Sequence, residues 1–221
     1  MKKILLAFTV LVLASCGTAK YYGGFTAEQG KNDMVMLGPV SEQYFLDDNK
    51  KMVYVDSLSI ASENLIFEQI DMSGVPFTSM IPLDDLQREH LVKFVDFLQT
   101  QDAKKRGSTR VPEDLLQLVR TSGNRYGLLV FSVGMTRDNK GIVADVVKGT
   151  LLGVATAVLT LGMFTMYTVP EMPYSNIYVA IVDSETGTVA YYNQNLGEEC
   201  DPHDPAVIHK QVNKLFKDYL K

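Results

Sequence analysis

Tyr126 to Val133 reads YGLLVFSV, a run of eight residues with no charge and no alternation of polar with apolar positions. A run this short is strand-length, and the lack of alternation predicts a strand buried on both faces rather than on one. Ile177 to Val182, IYVAIV, repeats the pattern. Strands buried twice over need a layer on each side. The spacing of apolar residues elsewhere supplies helices for those layers, so the fold class is α/β. Asp183-Ser184-Glu185-Thr186-Gly187 reads as a tight turn, with Gly187 free to take positive φ, and Thr188 to Tyr192 returns as a hairpin partner. The sheet is therefore expected to be mixed.

Helical spacing follows Asp56-Ser57 through Asp71, with Leu58, Ala61, Leu65, Ile66 and Ile70 on one side. Asp84-Asp85 opens a stronger helix with Leu91, Phe94, Val95 and Leu98 as its buried stripe. Lys104-Lys105-Arg106 follows as a basic cluster at that helix's C-terminal end, placed to favour the dipole or to meet phosphate or anionic lipid. Pro112-Glu113-Asp114 starts a helix that Ser122-Gly123-Asn124 stops, and Asp204-Pro205 caps another. In the last, Ile208, Val212, Leu215, Phe216 and Tyr219 form one stripe, opposite Lys210, Asn213, Lys214 and Lys217. Shorter strands are expected at Met34–Val40, closed by Gly38-Pro39, at Met52–Val55, and at Val75–Ile81, limited by Pro76. Ser41 to Lys51 reads as polar and turn-rich.

At the start of the chain, Lys2 and Lys3 precede ten apolar residues, Ile4 to Leu13. That is half the ~20 residues a spanning helix needs but fits a signal h-region. The run ends in Leu13-Ala14-Ser15-Cys16, which resembles the bacterial lipobox. The resemblance implies cleavage before Cys16, a diacylglycerol on its thiol, and acylation of its new amine. Several acyl chains give stable anchoring where a single one is marginal. The implied layout is a signal peptide at 1–15, a lipidated flexible tether at 16–32 (rich in Gly and Thr), and one domain at 33–221. Losing Lys2 and Lys3 from 21 basic and 26 acidic residues takes the formal charge from −5 to −7. That balance opposes nucleic-acid binding, which needs a basic surface. With Cys16 acylated only Cys200 remains, so no intrachain disulfide can staple the fold. Gly17 follows the cysteine in place of the Asp that marks inner-membrane retention in proteobacterial lipoproteins. By that resemblance the expected location is the outer membrane, on its periplasmic or surface face.

The strand YGLLVFSVG, the hairpin IYVAIVDSETGTVAYYN and the closing helix DPAVIHKQVNKLFKDYL resemble, in that order, a periplasmic α/β domain of outer-membrane lipoproteins. The curli-secretion lipoprotein family and the amino-terminal domain of the Tol-system propeller protein have such a domain, and the whole chain is similar to envelope lipoproteins common in the Bacteroidota. Where the wider group often has a Trp on the returning strand, this chain has Tyr191-Tyr192. The resemblance implies a module that binds envelope proteins or assembles with copies of itself, without a catalytic residue to carry over.

Reading the residues for chemistry leads the same way. His90, His203 and His209 are the three histidines, and none stands in an HExxH pair. Cys200-Asp201-Pro202-His203-Asp204 crowds metal-ligand types together, but neighbours on one loop rarely supply the three or four fixed ligands a transition metal needs. Ser132 sits mid-strand, outside any GxSxG elbow, and is expected to bond backbone. Glu198, Glu199 and Asp201 should raise the pKa of Cys200. Gly149-xxx-Gly153 lacks a P-loop ending, and Asp84-Asp85 serves a helix start better than acid–base work. No catalytic residue, metal or cofactor is expected, and an enzyme is the minority alternative.

GTLLGVATAVLTLGMFTMYTV, residues 149–169, carries no charge. Its length permits a membrane span. Outer-membrane proteins cross as barrels, however, and a lone span would separate the closing hairpin and helix from their sheet. Gly149, Gly153 and Ala157 recur every four residues and allow close helix contact. The expectation is an apolar insert at 142–173 packed on protein. The alternative is an oligomeric secretion pore whose segment 149–169 inserts into the membrane.

Overall fold

The computed structural model describes residues 20–46, 51–137, 172–217 and 219–220. Cys16, the signal segment 1–15 and the run 149–169 lie outside the described residues. Thirteen elements follow in order: β1 (Lys20–Tyr21), α1 (Ala27–Gly30), β2 (Met34–Leu46), β3 (Met52–Tyr54), α2 (Asp56–Met72), β4 (Met80–Ile81), α3 (Asp85–Thr100), α4 (Ala103–Arg106), α5 (Glu113–Thr121), β5 (Tyr126–Arg137), β6 (Tyr174–Asp183), β7 (Thr188–Glu198) and α6 (Pro205–Phe216). The strands make one seven-stranded mixed sheet in the order β1-β7-β6-β5-β2-β3, with β4 also against β2. Pairs β2–β5 and β2–β4 are parallel and the rest antiparallel.

Helices cover both faces, as the two unalternating runs require. Ile66 and Ile70 of α2 and Ile208, Val212, Leu215 and Phe216 of α6 pack on Met34, Met36, Leu128, Val130, Ile177, Val179 and Ile181. On the other face Leu91, Phe94, Val95 and Leu98 of α3 and Leu115, Leu116 and Val119 of α5 meet Val35, Leu37, Leu129, Phe131, Ala180 and Val182. β5 and β6 therefore bury successive side chains in alternate layers, and the fold is α/β with the sheet in the middle.

The expected end of the first strand at Gly38-Pro39 is instead a bulge. The register of β2 against β5 slips by one residue between Leu37 and Pro39, and pairing then continues to Leu46 opposite Arg137. An extra residue reverses which face each later side chain meets. Odd-numbered residues of β2 after the bulge face α2, and even-numbered ones face α3. The polar stretch Ser41–Leu46, expected as turns, is thus a strand.

Residues 20–32 differ from the tether read from composition. Lys20 and Tyr21 pair with Tyr192 and Tyr191. Phe25 is buried against Tyr126 at 4.9 Å between ring centroids, and near Tyr21 and Tyr219. Thr26 and Gln29 form a capping box on α1. Aromatic burial outweighs the conformational freedom that Gly23 and Gly24 would otherwise give.

The remaining helix signals hold with small shifts. Asp84 caps α3, accepting from Gln87 N at 2.8 Å, and Asp204 caps α6, accepting from Ala206 N at 2.8 Å. Asp56 is in the first turn of α2, whose cap position is Val55 with no side-chain hydrogen bond. The 75–81 strand shrinks to Met80–Ile81, and Lys104–Arg106 belong to their own short helix, not to the end of α3. Gly187 has φ +67°, so the turn has the conformation its sequence requires.

Candidate functional site

Beyond its bulge, β2 carries polar residues to both faces of one end of the sheet. Facing α2, Ser41 Oγ lies 2.8 Å from Ser132 Oγ, and Gln43 Nε2 donates to Ser41 Oγ at 2.7 Å and to Ser62 Oγ at 3.1 Å. Ser132 therefore bonds side chains from two other elements, not the backbone as expected. All of these residues are buried. Gln43 Oε1 is buried without a hydrogen-bond partner among the described residues, and it points at Gly134. A Cβ on Gly134 would lie 2.5 Å from that oxygen and 2.7 Å from Pro202, so only glycine lets the strand and the loop approach here.

The outer edge of β2 has a gap between the short partners β4 and β3, and α2 fills it with side chains. Ser41 N donates to the Glu63 carboxylate at 2.9 Å, and Gln43 N donates to Ser59 Oγ at 3.0 Å. Glu63 also pairs with Arg88 of α3. Backbone donors that a longer edge strand would have satisfied are met this way. Beside them lies a cavity of about 150 Å³, lined in part by Gly38, Pro39, Glu63, Asn64, Met80 and Arg88.

Facing α3, Glu42 accepts from the Tyr44 hydroxyl at 3.2 Å, and Tyr44 meets Tyr54 edge-on. Tyr178 stacks on Phe131 at 6.0 Å. Burial pushes the Glu42 carboxyl up. The Tyr44 hydroxyl opposes that shift, and Asp96 on α3 adds to it. Burial also raises the Asp96 carboxyl and takes the Tyr178 phenol up to about 12. Burial thus disfavours the charged form of two carboxyls set among phenols. Raised carboxyls of this kind gather at functional sites but also occur in buried frameworks. Periodicity could not have placed Glu42 on the face toward α3, because the bulge sets which way it points.

The residues that the sequence offers as chemistry are spread apart and engaged in the fold. His90 Nδ1 lies 2.7 Å from Asp114 Oδ2 and joins α3 to α5. This pair borders an open groove of about 470 Å³ whose lining includes Lys93, Phe97, Arg110 and Pro112. His203 Nε2 donates to the Leu58 carbonyl at 3.2 Å, tying the loop before α6 to α2. His209 Nδ1 lies 3.0 Å from Gln69 Oε1. In the Cys200–Asp204 loop, Asp204 is the helix cap, and Asp201 accepts from His203 N at 2.9 Å. Among the described residues no three metal-ligating side chains converge. Burial, more than the acidic neighbours, raises the Cys200 thiol, while the Ser175 backbone opposes the shift and Asp201 adds to it. A raised thiol is a poor nucleophile.

No family model and no curated relative matches this chain. Several solved structures align with this chain at low similarity. The PelC dodecamer from Paraburkholderia phytofirmans is 8% identical, aligns over 91% of this chain and 94% of its own, and has a TM-score of 0.40. The LpoB C-terminal domain from Salmonella enterica is 10% identical over 79% and 86%, with a TM-score of 0.31. Lipoprotein GNA1162 from Neisseria meningitidis is 11% identical over 84% and 99%, with a TM-score of 0.30. At such identities and scores no residue role, ligand or assembly is transferred.

Proposed function

We propose that this chain is a lipoprotein anchored through Cys16 in the cell envelope, at the outer membrane. There it is a non-enzymatic module that binds envelope proteins or assembles with copies of itself. The observation that carries the non-enzymatic part is the engagement of its reactive side chains. Ser132 is held by Ser41, Gln43 and Ser62, His203 by the Leu58 carbonyl, and His90 by Asp114. A serine nucleophile needs a base within hydrogen-bond reach. Among the described residues the side-chain hydrogen-bond partners of Ser132 are two serines and an amide.

Topology constrains the pore alternative. β5 and β6 pair antiparallel up to Met135 opposite Tyr174, so the chain leaves and re-enters the sheet at the same end. If segment 149–169 entered a bilayer, it would therefore have to make an even number of crossings, as a barrel hairpin does. A single crossing, the case that would separate the hairpin from its sheet, does not fit these anchor points.

Crosslinking in intact cells followed by mass spectrometry tests the assembly reading. The expected result is a discrete adduct with an envelope protein or a ladder of self-adducts. A chain that stays monomeric under conditions that crosslink known envelope complexes would contradict it.

A further inference from the structure

The first described residues enter the fold at one edge of the sheet. Lys20 and Tyr21 pair with Tyr192 and Tyr191 on β7, Tyr22 N donates to Ala190 O at 2.9 Å, and Arg110 bridges to Thr188. α4 is held against the same edge. The Tyr22 ring fills the space where a Cβ on Gly107 would stand, 2.5 Å from that position. Arg106 Nε donates to Leu98 O at 2.8 Å, and its guanidinium lies 4.5 Å from the centre of the Tyr192 ring. Arg106 is thereby committed to the fold, but Lys104 and Lys105 next to it are exposed, as is Lys20. The acidic neighbour of Lys105, Asp102, is 3.9 Å away with both side chains mostly in solvent, a weak pair.

We infer that the β1–α4 edge is the face the domain turns to the bilayer, with Lys20, Lys104 and Lys105 against anionic headgroups. This rests on the lipidation of Cys16 proposed above. Four Cα steps separate Cys16 from Lys20, so the two are at most roughly 14 Å apart. The domain cannot drift from the surface, and its orientation is decided at short range, where screening over about 8 Å still leaves charge effective. The processed chain, formally −7 once Lys2 and Lys3 are lost, would as a whole be repelled by an anionic surface. A locally basic edge at the attachment point is the part that such a surface attracts. Tyr21, 38% exposed, adds an aromatic ring of the kind that settles at headgroup depth. The basic cluster and the lipid attachment point are far apart in sequence, and only the folded chain brings them to one edge.

The test uses the full chain, expressed in bacteria and purified with whatever lipid it carries. It is reconstituted into vesicles of equal parts phosphatidylcholine and phosphatidylglycerol, or of phosphatidylcholine alone. Lysine acetylation is then read by mass spectrometry. In the anionic vesicles Lys20, Lys104 and Lys105 should react several-fold more slowly than in detergent, while Lys93, Lys210 and Lys214 are unchanged. The protection should weaken in phosphatidylcholine. In a K104E/K105E chain, Lys20 should lose the difference between the two vesicle types. Acylated protein whose lysines all react alike in anionic vesicles would overturn the orientation alone. Protein whose intact mass lacks the acyl groups would overturn the anchoring and this inference together.

Discussion

Asp183 holds three groups at the hairpin turn. Its carboxylate takes both arms of Arg125, at 3.1 and 2.8 Å, and accepts from Glu185 N at 3.0 Å, while its carbonyl accepts from Gly187 N at 2.8 Å. Burial alone would raise this carboxyl, but Arg125 and the turn's N–H groups hold it below its ordinary value. Its folded pKa is thus depressed, so the stability it contributes is present at neutral pH and lost as pH falls through the folded value. Asp183→Asn should cost about 2 kcal/mol at neutral pH, the scale of a hydrogen bond to a charged group. The difference from wild type in urea unfolding should begin to shrink near about pH 4, where the unfolded carboxylate protonates, and close only as pH falls through the lower folded value. Glu42 has the opposite sign. Its raised carboxyl contributes stability below its unfolded pKa that is lost as pH rises through the folded value. Glu42→Gln should therefore be neutral or stabilising at pH 7, measured by the same unfolding curves. A loss there comparable to that of Asp183→Asn would show that the charged form of Glu42 is the one the fold favours.

Elements differ in how locally they are specified, and substitutions can show it. Asp84→Ala and Asp204→Ala should each cost about 1 kcal/mol, because both side chains cap a helix. Asp56→Ala should cost less, since α2 begins without such a bond. Phe25→Ala should cost about 3 kcal/mol, the low end for a buried phenylalanine, because it sits among Tyr21, Tyr126 and Tyr219. Thermal unfolding unchanged by that substitution would restore a loose tether at 20–32. The sheet centre, the hairpin turn and the caps of α3 and α6 were legible in the sequence because neighbouring residues determine them. The second half of β2 was not. Its polar Ser41 and Gln43 look like turn residues until Ser59, Ser62 and Glu63 arrive from α2 to satisfy them. The N-terminal strand was hidden for a related reason. Its glycines dominate the composition, but what holds it is the edge of β7, some 170 residues away.

Among the described residues, helices cover both faces of one sheet, and His90, Ser132 and His203 are engaged in contacts between elements. One sheet edge gathers the chain's entry point and a small basic cluster. If 149–169 packs on protein, the lipid-free chain should be soluble, since an exposed apolar run of that size exceeds what a soluble monomer tolerates, and it should leave dye-loaded liposomes intact. Strong dye release would favour the pore instead. The anchor itself is tested most directly by feeding cells a clickable palmitate analogue and comparing the full-length chain with its Cys16→Ala variant. Label on the wild type and none on the variant is the expected result. Label that persists without Cys16, or a wild-type chain that takes up none, would contradict lipid anchoring.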